Sequence, residues 1–533
     1  MSEISHVMEP VIPGRYAVVT VGGATDGTRI HAARFADGPT RWPGDGEVAT
    51  VGNVEAWSVA QRKGDCLTVD VPGGDHAVMA LATDPGAPLD GAFTANRPRI
   101  DWAYPSPAQP GAPLRLIGRG FVQVDHYPTT DPTSPVSYGG MVEGVTRIVA
   151  RRVGQSAFIE LTVRESSAYD AHLTLPADFA EGSYELFAHN GRGGAAGWSE
   201  PLPLTVEARA PWPTKSYDAD AYIREAGGVD DGLAAALAAI ESAGGGVLQL
   251  SARGYTIHRT IVMPPRTVLR GVGRDRTLIH LLARNGPRPP YVAITGDRDL
   301  AADDLRIEAT HAPVLICAPR FEPTTFDEAL HVEDHVKARA SYVAVRRCRL
   351  QQFILGGAMR RRDREQLDRL YALLRHGPQH IEGYQGIVIR GDHIEVEDNI
   401  VYGGGSCVAL NRATQARVAG NVLKAGASGQ AMQCYSHLDW PDNPTPGNTG
   451  AKIEGSYTRD IIVEHNDCSA NCTTTRNLVN FMRGGENIHL AGNHIHDIPT
   501  TTDGEAMLTH LWFARWAEPT AARTRWPSMS WAW

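Results

Sequence analysis

No stretch of about 18 consecutive apolar residues, the span a bilayer requires, occurs in this 533-residue chain. Hydropathy therefore gives no membrane-spanning helix. The opening residues, MSEISHVMEPVIPGRYAVV, lack the basic segment followed by an apolar one that marks a secretory signal. Read alone, such a start fits the cytoplasm, or the exterior if an export signal has been removed. Cationic excess is missing as well. The net charge is -9, which argues against a nucleic-acid backbone as partner. Cysteine is sparse: Cys66, Cys317, Cys348, Cys407, Cys434, Cys468 and Cys472 are scattered, and only the last two are close. No His/Cys group among them has zinc spacing, so free buried thiols are expected. There is no Walker A loop or nucleophile elbow, and Gly271-Val272-Gly273 is too short for a dinucleotide fingerprint. Aromatic residues make up only 7%, whereas 55 glycines and 35 prolines suit a turn-rich β protein.

The most informative segment is residues 217–281. An Ala/Leu-rich run, Leu233 to Ser242, follows Asp230 and Asp231; the carboxylates suit a helix start, where free N–H groups and the macrodipole favour negative charge. Gly244 to Gly246 then end the helix. Short apolar strands follow at Val247–Leu250, Tyr255–Ile257, Thr260–Met263, Thr267–Leu269 and Thr277–Leu281, separated by turn residues. One helix feeding many short strands is what a β-solenoid needs at its start, because a bare end exposes core and unpaired strand edges.

This segment resembles the N-terminal cap and first coils of the pectate lyase superfamily. The residues that carry the likeness are Asp230-Asp231-Gly232-Leu233-Ala234-Ala235-Ala236-Leu237, the glycine cluster, Gly254-Tyr255 and Leu269-Arg270-Gly271-Val272-Gly273. One departure is Ser251-Ala252-Arg253, where the family usually carries a proline. The resemblance implies a mainly β chain built on a right-handed parallel β-helix, and a carbohydrate-active role. It does not choose among lyases, hydrolases, epimerases and adhesive tailspikes.

Three regions are expected. Residues 1–97 alternate in strand fashion with Gly/Pro/Asp turns and read as a small antiparallel β domain. In residues 98–207, the stretch Pro105 to Phe121 resembles the opening of an IPT/TIG-type immunoglobulin-like domain. The later Ala171–Pro176 and Gly182–Gly191 fit the returning strands of such a sandwich. Residues 208–533 form the solenoid, so the chain reads as a β-helix behind two sandwich-like domains.

An internal repeat supports the solenoid. Segments ending in Asn399, Asn421, Asn466 and Asn493 align. The first step is one coil, the last a coil with a longer loop, and Asn421 to Asn466 is either two coils or one with an insertion. Stacked asparagines at an inward turn would satisfy backbone from coil to coil. Two stretches interrupt the repeat: a charged helical run, Ala358 to His376, and a polar loop, Ser436 to Gly450. The tail carries Trp512, Trp516, Trp526, Trp531 and Trp533 and reads as an aromatic cap or as a truncated C-terminus.

Candidate chemistry lies in the coils after about residue 380. Glu397 and Glu464 fall two positions before their asparagines and would face one side, two strand spacings of about 4.8 Å apart. That suits a hydrolytic carboxylate pair, or a solvated charged face. Glu395, Arg417, Ile462 and His489 form the neighbouring column. Arg390, Arg412 and, with a one-residue offset, Arg483 end successive strands and would make a ladder for the carboxylates of an acidic glycan. The alternative is pairing with Glu382, Asp392 and Glu486. Asp503 and Glu505, near His496 and His510, would supply a carboxylate pair or oxygen ligands for Ca²⁺; no other cofactor is indicated. Trp440, with Asp439 beside it, would stack on a sugar ring or anchor its loop. The expected partner is a polysaccharide, cleaved by β-elimination at a uronate or, alternatively, by hydrolysis; a third reading is a non-catalytic glycan-binding β-helix.

Overall fold

The computed structural model describes residues 3–84, 93–124, 140–282, 290–310, 312–324, 328–329, 338–353, 385–403, 406–425, 430–435, 458–470, 479–482, 485–496, 511–513 and 529–532. The chain divides between Arg209 and Ala210 into two compact units.

The sheets of the first unit pair antiparallel, with one isolated parallel bridge between Ala108 and Val206. One seven-stranded sheet runs from Ile4–Val7 to Phe93–Ala95, and its long strand, Thr50–Lys63, pairs with Ile30–Phe35 through its first half and Cys66–Asp70 through its second. Trp57 is buried at its centre among Val19, Ile30, Leu67 and Leu81. Two four-stranded sheets between Arg99 and Val206 then face each other across Leu116, Phe121, Ile148, Leu186 and Val206. The likeness of residues 105–121 to IPT/TIG domains remains one of sequence. The loop after Ile30–Phe35 lies on the second layer: Trp42 stacks on Phe158 at 5.6 Å, and the Trp198 indole N–H donates to Thr40 at 3.0 Å.

The second unit is a right-handed parallel β-helix. Its strands build three parallel sheets, each coil contributing in turn to the first, second and third; a crossover between parallel strands of one sheet takes the right hand almost without exception. Registers stack like on like. The inward column of the first sheet runs Leu248, Leu269, Ala302, Val345, Val396, Val418, Val463, Leu490. That of the third runs Ile261, Ile294, Ile316, Ile387, Val408, Met432, Val479. Such stacks make one continuous apolar core, where burial contributes roughly 25 cal/mol per Å².

The cap has two helices rather than the single one expected. Ala219–Ala226 precedes Val229–Ser242, with Asp218 capping the first through the Asp220 amide. Gly227, in the left-handed region, separates them. The second helix begins before Asp230 and Asp231, which therefore sit inside its first turn, still at the positive end of the dipole. Asp230 also accepts from the His258 amide at 2.9 Å, and Asp220 from the Tyr255 hydroxyl at 3.0 Å. These bonds fasten the cap to the first coil. On the outer face of the first sheet, Trp212 of the connector covers Val247, Val268, Ala301 and Ala344.

The asparagine ladder is present. The side-chain amide of Asn399 donates to Asn421 at 3.0 Å, Asn421 to Asn466 at 2.9 Å, and Asn466 to Asn493 at 2.9 Å. Each also donates to the carbonyl of an inward valine on the previous coil: Val345, Val396, Val418 and, from Asn493, Val463. Asn421 and Asn466 lie on adjacent strands of the ladder, so the open alternative resolves to one coil carrying an insertion. The residue before each asparagine (Asp398, Gly420, His465, Gly492) has positive φ. That local reversal turns the chain from the first sheet into the second.

Candidate functional site

The outer face of the first sheet carries an ion-pair network. Its register places Glu397, Ala419, Glu464 and Ala491 in one column, and Glu395, Arg417, Ile462 and His489 in the next, as the repeat predicts. Arg417 reaches diagonally to both acids: its Nε donates to Glu464 at 2.8 Å and another guanidinium N–H donates to Glu397. The network continues toward the cap, with Arg346 on Glu395 and Arg347 on Asp303 and Asp304. Glu464 is only 5% exposed at its side chain, and His489 is 1% exposed. Carboxylates that share a guanidinium in this way act as acceptors within a lattice of charge. A hydrolytic acid must instead donate a proton to the leaving group.

The second cluster occupies the corner where each coil passes from the third sheet to the first. Arg390 stands between the strands Gln385–Ile389 and Gly391–Glu397, and Arg412 between Ser406–Asn411 and Thr414–Ala419. The backbone of Arg390 is held on both sides. Its N–H donates to the Ala318 carbonyl at 2.8 Å, and its carbonyl accepts from the Ala340 amide at 2.7 Å. Gly391 permits that approach, since a Cβ there would come 2.0 Å from the Ala340 carbonyl oxygen. Arg412 has a φ of 50°. Arg339 lies across the corner, donating to the Arg412 carbonyl at 2.8 Å, the Gly391 carbonyl at 3.2 Å and the Thr414 hydroxyl at 3.1 Å.

Three guanidiniums thus meet at one bend. Burial first, then repulsion from Arg412 and Arg339, pushes Arg390 down to about 10; it remains a cation at neutral pH. Burial lowers Arg339 too, with Arg459 adding repulsion and Asp392 opposing it. Asp392 pairs with His393 at 2.8 Å. One detail of the sequence reading changes. Ile389 is level with Leu410, so Arg390, one residue past Ile389, and Arg412, two past Leu410, are not level with each other.

The strands Val314–Ala318 and Gln430–Tyr435 belong to the third sheet, and the strands that follow them on the first sheet are Ala340–Arg346 and Arg459–Glu464. The charged run Ala358–His376 and the polar loop Ser436–Gly450 lie outside the described residues. Arg483, Asp439, Trp440, Asp503 and Glu505 lie outside the described residues, as does the acidic stretch offered for Ca²⁺. His496 is described and stands elsewhere, on the outer face of the second sheet beside Asp467 and His494. Sequence reasoning missed Arg339, which stands just before the strand Ala340–Arg346 and outside the repeat that the asparagines align. It also missed the Asp467 group, although Asp467 and His494 each directly follow a ladder asparagine.

No family model matches the chain, and no curated protein does. Among solved structures it is similar to the family 28 exopolygalacturonase of Yersinia enterocolitica, at 11% identity and TM-score 0.31, over 75% of this chain and 81% of that one. It is also similar to the A-module of an Azotobacter vinelandii mannuronan C-5 epimerase, at 12% and 0.22, over 54% and 98%. A third is an alginate lyase from Paenibacillus sp., at 8% and 0.21, over 54% and 97%. Likeness of this size assigns nothing to the chain beyond the architecture its own strands display.

Proposed function

We propose that this protein binds an anionic polysaccharide along the bend between the third and first sheets and cleaves it by β-elimination at a uronate. The observation that carries the reading is the gathering of Arg339, Arg390 and Arg412 at one bend, where Arg339 donates to the carbonyls of Arg412 and Gly391 and Arg390 is buried. Crowded guanidiniums repel one another, and a carboxylate set among them relieves that repulsion while accepting paired N–H bonds. In the elimination a base takes the proton α to the carboxylate, the C–O bond to the β carbon breaks with the departing sugar oxygen as leaving group, and a C=C bond forms; neutralising the uronate carboxylate makes that α proton more acidic. Arg390, fixed by its backbone and little exposed, suits gripping one carboxylate; Arg412, one coil on, suits the next along the chain.

The hydrolytic alternative draws on Glu397 and Glu464, which share a column two strands apart. Their common attachment to Arg417 favours a structural role for both, and so favours elimination over hydrolysis. The test is binding of soluble uronate polymers and of neutral glucans by the full chain, its R390A/R412A variant and an R147A control in the first unit. Uronate binding that weakens at least about tenfold in the double variant, weakens with salt and is unchanged in R147A is the expected result. Equal binding of neutral glucans, or no effect of the double variant, overturns the reading.

A further inference from the structure

The outer face of the second sheet holds a group of side chains that the glycan reading does not use. Strand His494–His496 pairs in parallel with Asp467–Ala470, placing Asp467 level with His494 and Ser469 level with His496. Alternation along the strand sends Ile495 to the core and both imidazoles outward. His496 Nε2 lies 3.0 Å from Asp467 Oδ1, and His494 Nδ1 lies 3.5 Å from Asp467 Oδ2. The two rings stack with centroids 4.3 Å apart. All three donor atoms fall within 4.8 Å of one another.

We infer that Asp467, His494 and His496 form a binding site for a divalent transition ion of the zinc type. Ligands on a tetrahedral zinc at about 2.0–2.1 Å must stand roughly 3.3–3.4 Å from each other; His496 and His494 stand 3.0 and 3.5 Å from the two different oxygens of the Asp467 carboxylate, within a small side-chain adjustment of that spacing. Two imidazoles with one carboxylate form a nitrogen-rich set that suits zinc, cobalt or nickel and suits Ca²⁺ poorly, since Ca²⁺ demands six or more oxygens. The frame is rigid. Asp467 and His494 directly follow the ladder asparagines Asn466 and Asn493, and their amides donate to the carbonyls of Asn421 and Asn466 at 2.8 Å each. The His494 side chain is 72% exposed, so an ion reaches the group from solvent without any rearrangement of the core. Three protein ligands leave one position of a tetrahedral ion for water or an anionic group of a ligand.

The experiment is calorimetric titration of ZnCl₂, and separately CaCl₂, into chelator-treated full-length protein. It uses wild type, H494A, H496A, D467N, the double variant H494A/H496A and an H280A control on a distant strand of the same sheet. One zinc site, weakened at least about tenfold by each ligand substitution and unaltered in H280A, is expected, with far-UV circular dichroism unchanged throughout. Absence of zinc binding in wild type, undiminished binding in the double variant, or tighter binding of Ca²⁺ than of zinc overturns the assignment.

Discussion

At the scale of single residues, the asparagines do the most for the fold. Asn421 is fully buried, and its side chain takes part in four bonds. It donates to Val396 and Asn466 and accepts from the backbone and side-chain amides of Asn399. Removing it orphans buried donors and acceptors on two coils, each costing about 1–3 kcal/mol. N421A is therefore expected to lower stability by about 3 kcal/mol. N421D should do comparable harm, because a carboxylate cannot donate to Val396 and brings charge into the interior. Urea unfolding followed by far-UV circular dichroism measures both; a loss below about 1 kcal/mol for each would remove the ladder from the account. The ladder was legible in the sequence because four segments of strand pattern align on Asn399, Asn421, Asn466 and Asn493; the positive φ of the residue before each is what the structure adds.

Among elements, the strands of the first sheet are tied across their outer face by charge as well as by backbone. Arg417 joins Glu397 and Glu464 from a coil between them. R417M is expected to destabilise the solenoid by about 3 kcal/mol, because it removes the cation that Glu464 faces in a buried position. Adding E464Q in the same background should recover part of the loss, since an amide tolerates burial better than a carboxylate. Urea midpoints of the single and double variants check this; a double variant no better than R417M alone would mean that packing, not charge, sets the loss. The same sheet shows why elements were easier to read than sites. Alternation and spacing gave the strands and the cap's second helix. The first helix, only 8 residues long, falls below the length at which a pattern is distinctive. The arginine bend depends on register, where one residue changes which side chains are level, and on Arg339, which stands outside the repeat that the asparagines align. The zinc-type group needed the step from Asn466 to Asn493 to be followed one residue further onto the strand.

In the whole molecule, the stability of the first unit should depend on pH. His189, in the first unit, is held neutral by a defined tautomer: Nε2–H donates to the Gly194 carbonyl at 2.9 Å, and Nδ1 accepts from the Gly191 amide at 3.0 Å. Burial lowers its affinity for a proton, and Arg147 adds to this. The unfolded chain binds that proton near the ordinary value of 6.5, the folded chain only at lower pH. The stability His189 supports is thus full above 6.5 and is lost as pH falls below it. Calorimetric scans between pH 7.5 and 5 should show the transition of the first unit moving down, and moving less in H189Q. A shift of equal size in H189Q would place the effect elsewhere.

The central claim is that the arginine bend serves the cleavage of an anionic glycan by elimination. The most direct measurement incubates the full chain with a panel of uronate polymers and follows ultraviolet absorbance alongside reducing ends. Elimination leaves a conjugated double bond with every cut, so both signals should rise together on at least one polymer, and fall together at least about tenfold in R390A/R412A. Reducing ends without new absorbance, or elimination undiminished in the double variant, would contradict the account.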